Sequence, residues 1–237
     1  MNETYKQKKI FNTESQEAFM DAKIVGGNPN GIMNFNRCPH SFAYPLYKKM
    51  IARTWFPDDV NISKDKVNYS TLNPEEKRMY DLVLAQLIAN DSIQANQLAD
   101  KINGYITSPI VNACLIRQAW EEANHAQSYA VMAEEICQDT DRIYNMHNHD
   151  EELMLKNKAV EDMYAHLYNG DDPKVEDLLM AMVANQILEE LVFPGGFVAM
   201  FSLATKLPGS SEMVSEISVT YFTRSRNMLR TSGFKAA

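Results

Sequence analysis

Apolar residues recur every three or four positions through most of the chain, which is the spacing of one face of an α-helix. Helix-start signals such as Asn73-Pro74-Glu75-Glu76 mark where these segments begin. The pattern predicts short helices over 44–52 and 151–168, together with four long helices. The long helices are expected at about 73–100, 108–138, 171–205 and 210–230, with an interruption of the third at Pro194-Gly195-Gly196. The sequence therefore predicts an all-α fold.

The first 45 residues lack this periodicity and carry a dense run of turn residues, Gly26-Gly27-Asn28-Pro29-Asn30-Gly31. We therefore predict an irregular N-terminal arm over 1–45 and a helical domain over 46–237. The segment His147-Asn148-His149-Asp150 falls between predicted helices and is interpreted as a polar loop.

The composition narrows the class of protein. The chain has 237 residues, 45% of them hydrophobic, which is enough for the core of one large domain. Its 23 Lys and Arg against 31 Asp and Glu give a net charge of −8, which argues against direct binding of nucleic acid. Three scattered cysteines provide no disulfide framework and predict a reducing, cytoplasmic location. No apolar run reaches the roughly 18 residues of a membrane helix, so no membrane association is expected.

Carboxylates stand inside otherwise apolar helix faces at three places. Asp91 interrupts the apolar stripe of the first long helix, and Glu189 does so on the third. On the second, Glu122, His125 and Tyr129 share one stripe, and Glu-x-x-His is half of the dinuclear site that four-helix bundles build in their cores. A buried carboxylate is tolerated when it is paired, protonated or bound to a metal. Carboxylate oxygens with an imidazole nitrogen suit iron or manganese.

Each of these residues has a plainer interpretation when it is taken alone. A single Glu-x-x-His arises by chance on solvated helix faces, and Asp91 could pair with a lysine. Glu189 could lie on a solvated ridge, and Tyr129 could be a packed core aromatic. The coincidence of all of them on three helices favours the metal site.

These motifs resemble the small, radical-generating subunit of class I ribonucleotide reductase, and the resemblance extends from about Gly26 to Phe234. Its specific segments are Asp91-Ser92-Ile93-Gln94, Glu122-Ala123-Asn124-His125-Ala126-Gln127-Ser128-Tyr129, Leu188-Glu189-Glu190-Leu191-Val192-Phe193 and Trp55-Phe56-Pro57. The resemblance implies a ferritin-like helical bundle that holds a di-iron or dimanganese centre.

The resemblance also implies roles for single residues. Tyr129 matches the tyrosine that holds the stable radical, and Trp55 matches the tryptophan that begins electron transfer to the large subunit. Phe193 and Phe197 match the apolar wall around the metal and the tyrosine. The residues that match metal ligands are Asp91, Glu122, His125 and Glu189.

The fourth predicted helix departs from the family pattern, which has a second Glu-x-x-His there. Depending on the register, the corresponding positions hold Asn227 and Arg230, or Tyr221 and Arg224. The second-site ligands are therefore missing from this chain. The helical domain is expected to be incomplete at its C-terminus. The departure favours a split or disrupted copy of the subunit over a diverged homologue, and a complementing C-terminal fragment is one expected partner.

The expected function is that of the small subunit of ribonucleoside-diphosphate reductase, an oxidoreductase of deoxyribonucleotide synthesis. Its expected partners are the large subunit and a second copy of the chain. Two alternatives stay open. The chain could be a non-catalytic scaffold or dimer partner of an intact small subunit, or another ferritin-like metal oxidase.

Overall fold

The computed structural model describes residues 4–167 and 172–204, without the side chains of His166 and Ala204. From residue 43 onwards these residues form helices joined by short connections, and the described residues before it are mostly irregular. The only β pairing of the described residues consists of two isolated bridges. The predicted all-α class is confirmed. The α-helices are α1 (Ala43–Ala52), α2 (Ser63–Thr71), α3 (Pro74–Asn96), α4 (Asn103–Tyr105), α5 (Pro109–Met132), α6 (Thr140–His149), α7 (Glu151–Tyr164), α8 (Val175–Ile187) and α9 (Phe193–Ala204).

The chain divides into two compact units whose segments alternate along the sequence. Among the described residues, the first comprises 4–54, 94–121, 162–167 and 172–183, and the second comprises 55–93, 122–161 and 184–204. The division into an arm over 1–45 and a helical domain over 46–237 stays a prediction.

In the first unit, the described part of the arm is irregular except for a 3-10 turn at Phe19–Asp21. The arm is fastened to the end of α4. Lys8 donates its backbone N–H to the carbonyl of Gly104 and its ammonium group to the carbonyl of Asn103. These bonds satisfy carbonyls that a helix end leaves without intrahelical partners.

The first long helix continues further than the predicted end near residue 100. A π-helical turn at Gln97–Ile102 joins α3 to α4, so helical structure reaches Tyr105. The second long helix agrees with its prediction, since α5 is followed by a π-helical turn at Ala133–Cys137. The extension of the first helix depends on the arm, because its last carbonyls are satisfied by Lys8.

The predicted interruption at Pro194-Gly195-Gly196 is wrong in position. Helix α9 runs through these residues, and the irregular stretch is the π-helical turn Leu188–Val192 that precedes it. Pro194 is the second residue of α9 and directly follows the π-helical turn, within helical structure that is continuous from Val175 to Leu203. The wider π turn places the irregularity before the proline.

The predicted polar loop over His147–Asp150 is also corrected. His147 and His149 lie in the last turn of α6, and only Asp150 falls outside it as the C-cap. The Asp139 side chain accepts a hydrogen bond from the N–H of Arg142 and so caps the start of α6. The fourth predicted long helix, over 210–230, lies outside the described residues.

By length and composition, the helical stretch Val175–Leu203 could cross a membrane, and about a third (33%) of its most apolar window is buried. A core helix of a soluble protein passes the same test, so this is weak evidence. The stretch also contains Glu189 and Glu190, which a lipid-exposed segment would have to desolvate.

Candidate metal centre

Three of the predicted ligands meet inside the second unit. Asp91 of α3 and the pair Glu122 and His125 of α5 each offer one ligand atom, and these atoms lie within 4.8 Å of one another. His125 Nδ1 is 3.3 Å from Glu122 Oε2 and 3.8 Å from Asp91 Oδ2. All three side chains are at least 99% buried. Two carboxylates and an imidazole thus converge in a place that water does not reach.

The helical backbone explains half of this convergence. Glu122 and His125 are three residues apart on α5, so their side chains project from adjacent turns of one face. Asp91 comes from a different helix, α3, whose neighbouring residues Leu84 and Leu87 are buried. The close cluster therefore joins a group from α3 to two groups from α5.

The donor set fits a first-row transition metal. Two carboxylates are like charges whose proximity in an apolar interior is unfavourable, and a divalent cation between them removes that repulsion. Within the described part of the chain, Asp91, Glu122 and His125 are close enough to share one ion. Oxygen and imidazole ligands suit iron and manganese, whereas structural zinc sites usually include thiolates.

Tyr129 and Trp55, the two predicted aromatic residues of the site, both belong to the second unit. Tyr129 is one helical turn beyond His125 on α5 and is fully buried. The indole of Trp55 stacks on the His125 imidazole with ring centroids 6.1 Å apart and an interplanar angle of 27°. Trp55 itself is partly exposed. Of the two predicted aromatic residues, Tyr129 thus lies on the helix that carries Glu122 and His125, and Trp55 packs against that helix at His125.

Glu189 is buried on the π-helical turn Leu188–Val192, but it is not a member of the close cluster. Its neighbour Glu190 is less buried and accepts a hydrogen bond from Gln186 Nε2 at 3.0 Å. π-Helical turns often occur at functional sites because they shift side chains relative to the regular helix. The position of Glu189 as a ligand stays a prediction.

Phe193 and Phe197 are stacked on each other, and their place as an apolar wall around the metal and the tyrosine stays a prediction. Phe193 and Phe197 are buried, and their centroids are 6.5 Å apart. Gly196 lies between them on α9, and a Cβ there would meet Leu87 Cδ2 at 3.3 Å and Val83 Cγ1 at 3.4 Å. The glycine therefore lets α9 approach α3 closely.

Two features of this unit were not predicted from the sequence. Asn124 Nδ2 donates to the carbonyl of Trp55 at 3.1 Å. Asp81 accepts from Tyr69 at 2.9 Å and from Arg142 at 2.6 Å. The only sequence signal for either was a polar residue at a helix position that proves to be buried.

Comparisons with known proteins agree with this geometry. The profile of the family described as "Ribonucleotide reductase, small chain" matches residues 32–220. A ribonucleoside-diphosphate reductase subunit beta of Treponema pallidum is 34% identical over 212 residues, which are 88% of this chain and 60% of that protein. The chain thus spans less than two thirds of the length of this relative.

Solved structures show the same fold. The ribonucleotide reductase R2 subunit of Clostridium botulinum superposes with a TM-score of 0.83 at 26% identity, covering 97% of this chain and 73% of that one. The dimanganese(II)-NrdF of Streptococcus sanguinis gives 0.70 at 19% identity, covering 86% and 72%, and that likeness concerns the fold alone. The predicted ferritin-like bundle is confirmed. With the profile match over most of its length, the chain belongs to the family of ribonucleotide reductase small chains.

Proposed function

We propose that this chain acts as a small subunit of ribonucleoside-diphosphate reductase, in which a metal bound beside Tyr129 serves to oxidise that tyrosine. The observation that carries the proposal is the buried cluster that Asp91 of α3 forms with Glu122 and His125 of α5. Helix α5 also carries the buried Tyr129. Family membership supplies the reaction class, namely the reduction of ribonucleotides to deoxyribonucleotides.

The ligands proposed for iron or manganese are Asp91, Glu122, His125 and Glu189. When bound, and with oxygen or an oxygen-derived species as the terminal oxidant, the metal would supply the oxidising power that removes one electron from the Tyr129 phenol as the phenol releases its proton. The chain's own residues do the rest. The carboxylates hold the cation, the imidazole presents Nδ1 to it, and full burial of Tyr129 keeps water and reductants away from the oxidised ring.

The proposed stoichiometry is one tightly held ion per chain. The family centre is dinuclear, but the positions that would supply its second Glu-x-x-His hold other residues in this sequence. We propose the large subunit and a second copy of the chain as partners, and a cytoplasmic location. The predicted complementing fragment finds no support in the comparisons.

Metal titration and electron paramagnetic resonance test the proposal. We expect one Mn²⁺ or Fe²⁺ to bind tightly per chain, and Glu122→Ala and His125→Ala to abolish this binding. After iron and oxygen loading, any tyrosyl signal should be substoichiometric and absent from Tyr129→Phe. Glu161→Ala, on the exposed face of α7, is the control for general effects of losing a carboxylate.

Two outcomes would contradict the proposal. Failure of the wild-type chain to bind either metal would leave the scaffold alternative. Two ions per chain and a tyrosyl radical at full occupancy would refute the half-site stoichiometry while leaving the proposed reaction class intact.

A further inference from the structure

Trp55 reaches His125 from a short segment whose backbone is held by side chains. Asn124, the residue before His125, donates its Nδ2 to the carbonyl of Trp55. The carboxylate of Asp59 accepts the N–H of Phe56 at 2.9 Å. The Trp55 carbonyl and the Phe56 N–H belong to one peptide group, so both of its hydrogen-bonding ends are fixed.

The residues on either side add to this restraint. Phe56 precedes Pro57 and has an extended backbone with φ −126° and ψ 153°, the conformation that a following proline favours. Asn124 is 94% buried, and its own carbonyl accepts the hydroxyl of Ser128 at 2.9 Å. A planar peptide with both ends held restricts the backbone from which the Trp55 side chain departs, and in this backbone the indole stacks on the imidazole.

We propose that Asn124 is a positioning residue whose amide, together with Asp59, clamps the Trp55–Phe56 peptide and thereby holds the indole stacked on His125. Its purpose rests on the proposed function and on the predicted role of Trp55, which is to begin electron transfer towards the large subunit. The clamp itself concerns only residues of this chain and can be tested without metal.

The test uses Asn124→Leu, which keeps approximately the volume of the side chain and removes the donor. It is made in a Trp120→Phe background, so that Trp55 is the only tryptophan of the chain's two. Two signals are measured on the metal-free protein: quenching of Trp55 fluorescence by acrylamide, and the chemical shift of the His125 ring protons, assigned by their loss in His125→Gln. The shift reports stacking, which a merely structural role for Asn124 would not alter.

We expect Asn124→Leu to lower the ratio of stacked to unstacked indole roughly fivefold, because one hydrogen bond of ordinary net strength is lost. Acrylamide quenching should rise, and the His125 protons should move towards the position of an unstacked imidazole. Asp59→Ala should act in the same direction, and Asn124→Gln, which keeps the amide, should restore part of the stacking. Asn145→Ala is the matched control, since this amide donates to the Asp141 carbonyl on the exposed α6.

Unchanged quenching and an unchanged His125 shift in Asn124→Leu would overturn the proposal. If this variant does not fold, Asn124→Ser takes its place, because the serine hydroxyl is too short to reach the Trp55 carbonyl. The metal titration separates the two proposals. Asn124 is not among the proposed ligands, so Asn124→Leu should bind Mn²⁺ as tightly as its parent. A parent that binds no metal contradicts the proposed function alone.

Discussion

At the scale of single residues, two aspartates of α3 illustrate how the surroundings decide what a buried charge does. Asp81 and Asp91 are 98% and 100% buried on the same helix. Asp81 faces the guanidinium of Arg142, which is a stabilising arrangement. Asp91 Oδ2 lies 3.8 Å from His125 Nδ1 in a cluster that also holds the carboxylate of Glu122, so a bound cation would relieve the repulsion between the two carboxylates.

This contrast predicts opposite effects of one substitution at two positions. In the metal-free protein, Asp91→Asn should raise the free energy of unfolding by about 1–2 kcal/mol, because it removes one of two neighbouring buried carboxylates. Adding Mn²⁺ at 100 times its dissociation constant should stabilise the wild type by about 2.7 kcal/mol and leave Asp91→Asn unchanged. Urea unfolding with and without metal measures both effects.

Asp81→Asn is the matched control on the same helix. It should lower the free energy of unfolding by about 1–2 kcal/mol with or without metal, since it weakens the bonds from Tyr69 and from the partly exposed Arg142. A metal-free Asp91→Asn protein that is less stable than the wild type would contradict the assignment of Asp91 to a cation site.

At the scale of elements, the adjacent glycines of α9 differ in what surrounds them. A Cβ at Gly195 would meet nothing within 4 Å, whereas a Cβ at Gly196 would press on Leu87 and Val83 of α3. Sequence alone gives both residues the same low helix propensity. Only the packing of α9 against α3 in the second unit distinguishes them.

We therefore expect Gly195→Ala to raise the free energy of unfolding by about 0.5–1 kcal/mol through helix propensity. Gly196→Ala gains the same propensity but crowds a buried side chain, so it should be less stable than Gly195→Ala by about 1 kcal/mol or more. Thermal unfolding of the two variants side by side provides the measurement. Equal stabilisation by both would show that α9 does not approach α3 as closely as the structure indicates.

The helices also differ in whether their boundaries can be predicted from residues nearby in the sequence or involve distant ones. The starts of α3 and α5 follow from Pro74 and Pro109, because a proline at the first turn is a local signal. The extension through Gln97–Ile102 to Tyr105 depends on Lys8, which lies 95 residues away from Asn103 in the sequence. The π-helical turn at Leu188–Val192 has no local sequence rule from which its position could be predicted.

At the scale of the whole molecule, buried weak acids couple the stability of the protein to alkaline pH. Burial raises the pKa of the Cys137 thiol to about 12 and that of Cys114 to about 11. Burial also raises the pKa of Tyr80 well above its ordinary value. Each group holds its proton more tightly in the folded protein than in the unfolded chain.

The sign of the linkage follows from these shifts. The contribution of the raised pKa values is complete below the unfolded pKa of a thiol, near pH 9, and is lost as the pH rises through 11 to 12. We expect the free energy of unfolding to fall steadily from about pH 9 upward in urea titrations. Cys137→Ala should reduce this slope, because it removes the thiol whose pKa is raised to about 12. A Cys137→Ala slope equal to that of the wild type would contradict the account.

The sequence by itself determined the helical class and singled out Asp91, Glu122 and His125, because both results depend on periodicity within one segment. The intervals between Asp91 and its apolar neighbours, and between Glu122 and His125, are local quantities that any helix preserves. The same local reasoning misplaced the irregular stretch of the third helix, because the position of a π turn follows no local sequence rule. It also assigned His147 to a loop, because it did not use the N-cap signal of Asp139 at the start of α6.

The tertiary structure alone decided which groups touch. Asn124 meets Trp55 across 69 residues of sequence, and Arg142 meets Asp81 across 61. It also decided that Asp91, Glu122 and His125 form the close cluster while Glu189 lies outside it. Such distances depend on how separate helices pack. Packing is fixed by the fit of many side chains at once, so no single stretch of sequence specifies it.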